Sequence, residues 1–312
     1  MKWVQFESAP WMMTLFILFG LWGCTRSPEQ GGVMPHQSDT VGLSVSVKDS
    51  NNKIRTYRLG EAVSVSRRIK FRPVLSAPNT FHLPPISEEV FELPGQFTGH
   101  VDRGGSCNVM TLRYIPHTIT HLETAAHIMS PKSNPPTILD LDNKILTGIL
   151  YLIDLTGIEP QEGNLVPWPV VKKKVAKIDL LISALAIKTQ ASELPEDYDF
   201  SGKNFLALAP ETAEGIQKFK FGTSKRVGIH CLLLDLPSID PEKDGGKLLA
   251  HRAFFGLPKT GFTAKAIPQN ALVEMAYFPS LEEGYYYFTI TPPRIQTNAV
   301  STGITCRPLI EK

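Results

Sequence analysis

The chain is 312 residues long, 42% hydrophobic and 20% charged, enough apolar material for a substantial core without disulfide support. A formal net charge of +2, with no long basic run and no RNA-binding signature, argues against nucleic acid as a partner. The one lysine cluster, Lys172 to Lys174, reads as a solvated face or strand edge.

The N-terminus carries the first informative feature. Residues 12–23, MMTLFILFGLWG, form an apolar run too short for a spanning helix and of the length of a signal h-region. It ends at Cys24, and LWGC resembles the lipobox of a bacterial lipoprotein signal, with Leu21 three residues before the cysteine and Gly23 just before it. That resemblance implies a signal peptide over 1–23, lipidation of Cys24 and an exported protein lipid-anchored to the bacterial cell envelope. The alternative is an uncleaved N-terminal anchor. Residues 24–40 are polar and rich in Gly and Pro, the composition of a flexible tether. With Cys24 lipidated, Cys107, Cys231 and Cys306 remain, an odd number without close spacing. This argues against a disulfide framework or a zinc ribbon and leaves one unassigned disulfide open.

Residues 41–312 then read as one folding unit. Alternation in VGLSVSV (41–47) and AVSVSRRIKF (62–71) predicts strands. Apolar, β-branched runs at KILTGILYLIDL (144–155), KIDLLISALAIKT (177–189) and KRVGIHCLLLDL (225–236) predict buried strands. APETAEGIQKFKF (209–221) predicts a helix opened by Pro210 and Glu211, with Ala213, Ile216 and Phe219 near one face. GGKLLAHRAFFG (245–256) predicts a second short helix closed by Gly256, and GYYYFTITP (284–292) a further strand. The expected fold class is α/β, mixed α and β, in a single domain. The chain contains no G-x-S-x-G elbow, P-loop, G-x-G-x-x-G fingerprint or H-E-x-x-H helix, which removes the standard serine-hydrolase, nucleotide and zincin readings.

Three of the eight histidines and a glutamate crowd into HTITHLETAAH. His117, His121, Glu123 and His127 share odd parity, so an extended chain projects the first three to one side. A helix would align His117 with His121 but swing Glu123 about 200° away from His121. The β-branched Thr118, Ile119 and Thr120 favour the extended form, and ETAAHIM then starts a helix that brings His127 back over the site. Two imidazoles and a carboxylate suit Zn2+ or Mn2+ and leave a coordination position open for water. A bound cation lowers that water's pKa toward neutrality, and His127 has the intrinsic pKa to carry a proton. The competing reading is a histidine-rich strand whose rings are merely hydrogen-bonded.

These residues resemble the metal-dependent cyclase family, which includes bacterial kynurenine formamidases and isatin hydrolase. Its signature, H-x-G-T-H-x-D-x-P-x-H, is matched at His117, Thr120, His121 and His127, with Ile119 for the glycine, Glu123 for the aspartate and Ala125 for the proline. Glu for Asp keeps the carboxylate and lengthens its reach by one methylene. The resemblance continues through residues 206–240 to a D-x-x-S-x-D segment at Asp235, Ser238 and Asp240, then through AHRAFFG at 250–256 and TCRPLI at 305–310. It covers most of 105–312; residues 41–100 match loosely. It implies a single domain of the swivelling β/β/α type. It also implies a second cation held by His251 and Glu274 with Glu123 as the bridge, although 258–269 resembles an insertion that lengthens the spacing between His251 and Glu274.

The function these features lead us to expect is a metal-dependent hydrolase, arylformamidase-like, cleaving an amide, formamide or cyclic amide bond. One or two Zn2+ ions or Mn2+ would be the cofactor, and the resemblance implies an aromatic small-molecule amide as substrate and a homodimer or larger assembly. His117, His121 and Glu123 are the expected first ligands, and His127 the acid that protonates the leaving nitrogen. The rival is a surface-tethered ligand-binding lipoprotein of the same fold, motivated by the departures from the signature and the insertion before Glu274. A structural envelope lipoprotein is a third reading, which leaves the histidine cluster unexplained.

Overall fold

A computed structural model describes residues 42–71, 74–219, 229–263 and 269–311. The apolar run, Cys24 and the tether lie outside these residues, as do parts of the 209–221 and 225–236 segments and of the 258–269 insertion. In chain order the main sheet contains β1 (Ser44–Lys48), β2 (Ile54–Leu59), β3 (Val63–Ser64), β4 (His121–Glu123), β5 (Thr147–Asp154) and β6 (Ala184–Lys188). It continues with β7 (Cys231–Leu234), β8 (Ala271–Glu274), β9 (Gly284–Thr291), β10 (Ala299–Ser301) and β11 (Gly303–Glu311). The helices are α1 (Asn143–Leu146), α2 (Trp168–Val175), α3 (Pro210–Lys218) and α4 (Leu249–Phe254). The fold is mixed α/β in a single domain, as expected.

The sheet runs in the order β1-β2-β11-β9-β5-β6-β7-β8-β4-β10, with β3 also paired to β11. Strands β5, β6, β7 and β8 are parallel neighbours. Their central residues are apolar because both faces of this block are covered. Leu150, Leu152, Ala186, Leu233 and Val273 face one core with Phe288 and Ile304. Ile153, Leu185, Ile187, Leu232 and Leu234 face the other, against helical residues such as Val171, Ala213 and Phe254. Only Thr302 separates β10 from β11. β10 pairs with β4 while β11 pairs with β9, so the sheet curls back on itself.

Helices α2 and α3 approach closely because Gly215 has no side chain. A Cβ at that position would lie 2.5 Å from the Trp168 ring. Gly215→Ala therefore sets a helix-propensity gain of about 1 kcal/mol against an overpacking cost of about 1–3 kcal/mol. We expect a net loss of stability in denaturant titration, and an unchanged or raised midpoint would contradict the close packing.

Three local expectations are corrected. The 62–71 strand is confined to Val63–Ser64, followed by isolated bridges from Ser66 to Ala276 and from Lys70 to Ser76. Arg67 keeps the inward parity of Val63 and Val65 with a charged side chain: it is buried and donates from Nη1 to the Pro195 and Glu196 carbonyls and from Nη2 to the Ala191 carbonyl. His117 lies in a single 3-10 turn, Pro116–Thr118, rather than in an extended run. The helix expected from ETAAHIM is likewise one 3-10 turn, Ala125–His127. Thr124 ties down its start by donating to the Pro136 carbonyl and accepting from the Ala126 amide. Cys107, Cys231 and Cys306 are free, the last two buried. Among the described residues, no helix is long and apolar enough to cross a membrane.

Candidate metal centre

Strand β4 places the cluster where the parallel block meets antiparallel pairing. It lies between β8 and β10, with His121 opposite Glu274 and Ser301, and Glu123 opposite Leu272 and Ala299. Leu122 and Val273 point into the core enclosed by the curled sheet, so the alternation turns His121, Glu123 and Glu274 to the other face. The 3-10 turns on either side of β4 bring His117 and His127 back to that face, where their rings sit 4.4 Å apart. His251 arrives from α4, its ring 5.7 Å from that of His127.

Two overlapping groups result. His117, His121, Glu123 and Glu274 form one, and Glu123, His127 and His251 form the other, with the ligand atoms of each group within 4.8 Å of one another. In the first, His121 Nε2 lies 3.0 Å from His117 Nδ1, 3.4 Å from Glu274 Oε2 and 3.7 Å from Glu123 Oε2. His117 Nδ1 is 3.6 Å from the same Glu123 oxygen. In the second, His251 Nε2 is 2.8 Å from Glu123 Oε1, and His127 Nε2 is 3.9 Å from Glu123 Oε2. Glu274 stands between the groups, since its Oε1 is also 3.5 Å from His251 Nε2.

These residues fit a cation. Donors held about 2.0–2.1 Å from a tetrahedral ion stand roughly 3.3 Å from one another, close to the observed spacings. Glu123 is fully buried, yet neither of its oxygens has a hydrogen-bond partner, and His251 Nε2 is likewise unsatisfied despite its proximity. A buried carboxylate left this way is costly unless a positive charge is shared with it. Side-chain exposure falls to zero at His121 and Glu123 but is 21% at His117 and 24% at His127, so the cluster opens to solvent on the His117–His127 side.

Without a cation the charges balance through protons. Burial and the charge of His121 depress His117 to about 3. Burial opposes ionisation of His121, but the neighbouring Glu123 and Glu274 carboxylates outweigh it and raise the imidazole to about 9. His251 is raised well above the usual range, burial being overcome by Glu123 and Asp240. Glu123 is held well below the carboxylate range, burial being overcome by the His127 and His251 charges.

His121 and His251 thus stabilise the metal-free fold fully below the ordinary histidine pKa of about 6.5, a contribution lost as pH rises through about 9 for His121. The melting temperature of chelator-treated protein is expected to fall from pH 6.5 to 9. Saturating Zn2+ or Mn2+, which needs deprotonated ligands, should blunt that fall. A flat or rising chelated profile would refute the charge balance.

Every residue proposed from the sequence as a metal ligand or proton carrier in the described chain, His117, His121, Glu123, His127, His251 and Glu274, is brought to this one place. Asp240 is the participant whose part was not foreseen: its Oδ2 lies 2.6 Å from His251 Nδ1. Its only sequence signal was the D-x-x-S-x-D spacing.

The sequence matches no family model and no curated protein. Solved structures do match. Isatin hydrolase A from Labrenzia aggregata, bound to benzyl benzoate, aligns with a TM-score of 0.56 at 12% identity over 81% of this chain and 94% of its own. Isatin hydrolase A from Ralstonia solanacearum gives a TM-score of 0.55 at 13% identity over 80% and 92%. A predicted metal-dependent hydrolase from Bacillus stearothermophilus gives 0.53 at 16% identity over 79% and 98%. At such identities the likeness establishes the fold: the chain has the architecture of isatin hydrolase and carries a buried His/Glu cluster in it.

Proposed function

We propose that this chain is a metal-dependent hydrolase that opens an amide, formamide or cyclic amide bond in a small molecule, an aromatic one by analogy with its structural neighbours. The observation that carries this reading is the buried Glu123 carboxylate, without a hydrogen bond and with histidines on both sides. His117, His121 and Glu123 would hold one Zn2+ or Mn2+ ion, and His251 and Glu274 would share Glu123 to hold a second. A divalent cation bound there supplies Lewis-acid polarisation of a carbonyl and water acidic enough to attack near neutral pH.

The chain's own residues do the rest. The open His117–His127 side admits the substrate, and the buried floor of His121 and Glu123 excludes bulk water. His127 Nε2 faces Glu123 at the solvent edge, where its imidazole can pass a proton to the leaving nitrogen as the bond breaks. The reading includes a lipid anchor at Cys24 that displays the domain at the cell envelope, and a homodimer or larger assembly.

Elemental analysis combined with hydrolysis assays on formyl-anilides and cyclic imides tests the reading. Bound Zn or Mn with turnover that chelation abolishes is the expected result. A protein that binds such compounds without metal and without turnover would sink it in favour of the ligand-binding lipoprotein.

A further inference from the structure

The loop between β7 and α4 reaches both residues assigned to the second cation, and the proposed chemistry gives it no part. Asp240 is buried; its Oδ1 accepts from the Ala250 amide at 2.7 Å, and its Oδ2 accepts from the His251 amide at 3.0 Å. The same Oδ2 lies 2.6 Å from His251 Nδ1. One residue earlier, the Ile239 amide donates to Glu274 Oε1 at 2.7 Å. The Asp240 amide in turn donates to Ser238 Oγ at 3.2 Å.

We infer that Asp240 is a positioning residue that makes His251 a ligand for the second cation, with the neighbouring Ile239 amide setting Glu274 for the same purpose. This rests on the two-cation reading above. A carboxylate only accepts, so the proton shared with His251 stays on Nδ1, and it is Nε2, 2.8 Å from Glu123, that gives up its proton and offers a lone pair when a cation binds. His251 Nε2 is a buried ring nitrogen without a hydrogen-bond partner, as that arrangement requires. The Ile239 amide donates to Glu274 Oε1 and so holds that oxygen 3.5 Å from His251 Nε2, while Oε2 faces His121 at 3.4 Å. One short loop therefore fixes the ring orientation and proton placement of one residue and the carboxylate orientation of the other.

Asp240→Asn is the sharp variant because it changes almost no volume. An amide presents an N–H in place of one acceptor oxygen. Turned toward Nδ1, that N–H forces the ring proton onto Nε2 and removes the lone pair from the site. Full-length protein stripped with chelator is titrated with Zn2+ against a chromophoric chelator, and its folding is followed by thermal melting.

Wild type is expected to take up two equivalents. In Asp240→Asn the second step should weaken about 10–100-fold while the first is unchanged, and Asp240→Glu, which restores an anionic acceptor, should recover part of it. Ser238→Ala, a milder change that keeps the loop folded, should weaken the second step alone by a smaller factor. Two steps of wild-type affinity in Asp240→Asn would overturn the inference. So would equal weakening of both steps in either folded variant, which marks a merely structural role. If Asp240→Asn does not fold, Ser238→Ala decides: selective weakening supports the inference, and no weakening overturns it. A wild-type chain that takes up no cation overturns the hydrolase reading itself, and one that takes up a single equivalent overturns the two-cation arrangement.

Discussion

Replacing His121 with alanine is expected to remove the bound cation and the turnover together and to lower the stability of what remains. His121 is buried on β4, its Nδ1 lies 2.9 Å from the Ile119 carbonyl oxygen, and its Nε2 faces His117, Glu123 and Glu274. Removing it deletes a direct ligand, so metal affinity should fall by well over about 100-fold, beyond the roughly 10–100-fold cost of losing an outer partner of a ligand. Turnover should then drop to background. In the chelated protein the same imidazolium is the counter-charge to Glu123 and Glu274. Without it two buried carboxylates face each other, and a broken buried ion pair costs about 3–5 kcal/mol. Metal content, turnover and thermal melting of the variant test all three effects. Retention of a full complement of metal would show that His121 is not a ligand.

His127→Ala is expected to part metal binding from turnover. Its ring is partly exposed at the open side, and its Nε2 is 3.9 Å from Glu123, the longest of the Glu123–histidine separations in the cluster. A positioned general acid contributes about 10²–10⁴-fold, so the variant should keep its cations and lose turnover on that scale. Substrates with good leaving groups should be affected least, since they need the proton less. Should metal content in this variant fall as far as in His121→Ala, His127 is a ligand and the second cation belongs to Glu123, His127 and His251.

Legibility differed from one part of the molecule to another for physical reasons. The parallel block was readable because strands covered on both faces are apolar in their interiors, as in 149–153, 184–187 and 231–234. The same-side projection of His121 and Glu123 followed from strand alternation and is observed in β4. The parity argument did not hold for His117, which reaches the cluster through a 3-10 turn beginning at Pro116. Nor was the burial of Arg67 readable from hydropathy: it takes an inward position of 62–71 because three backbone carbonyls from the 191–196 segment capture its guanidinium.

By itself, then, the sequence determined the chemistry available: the ligand types, their local spacing around 117–127, and a core apolar enough for a mixed α/β domain. Only the tertiary structure decided where that chemistry converges. Glu274 meets His121 through the β8–β4 pairing, and His251 meets Glu123 because Asp240 fixes its ring. Periodicity reports which way a side chain faces within its own element, whereas sheet order and loop contacts bring residues more than a hundred positions apart to within a ligand's reach.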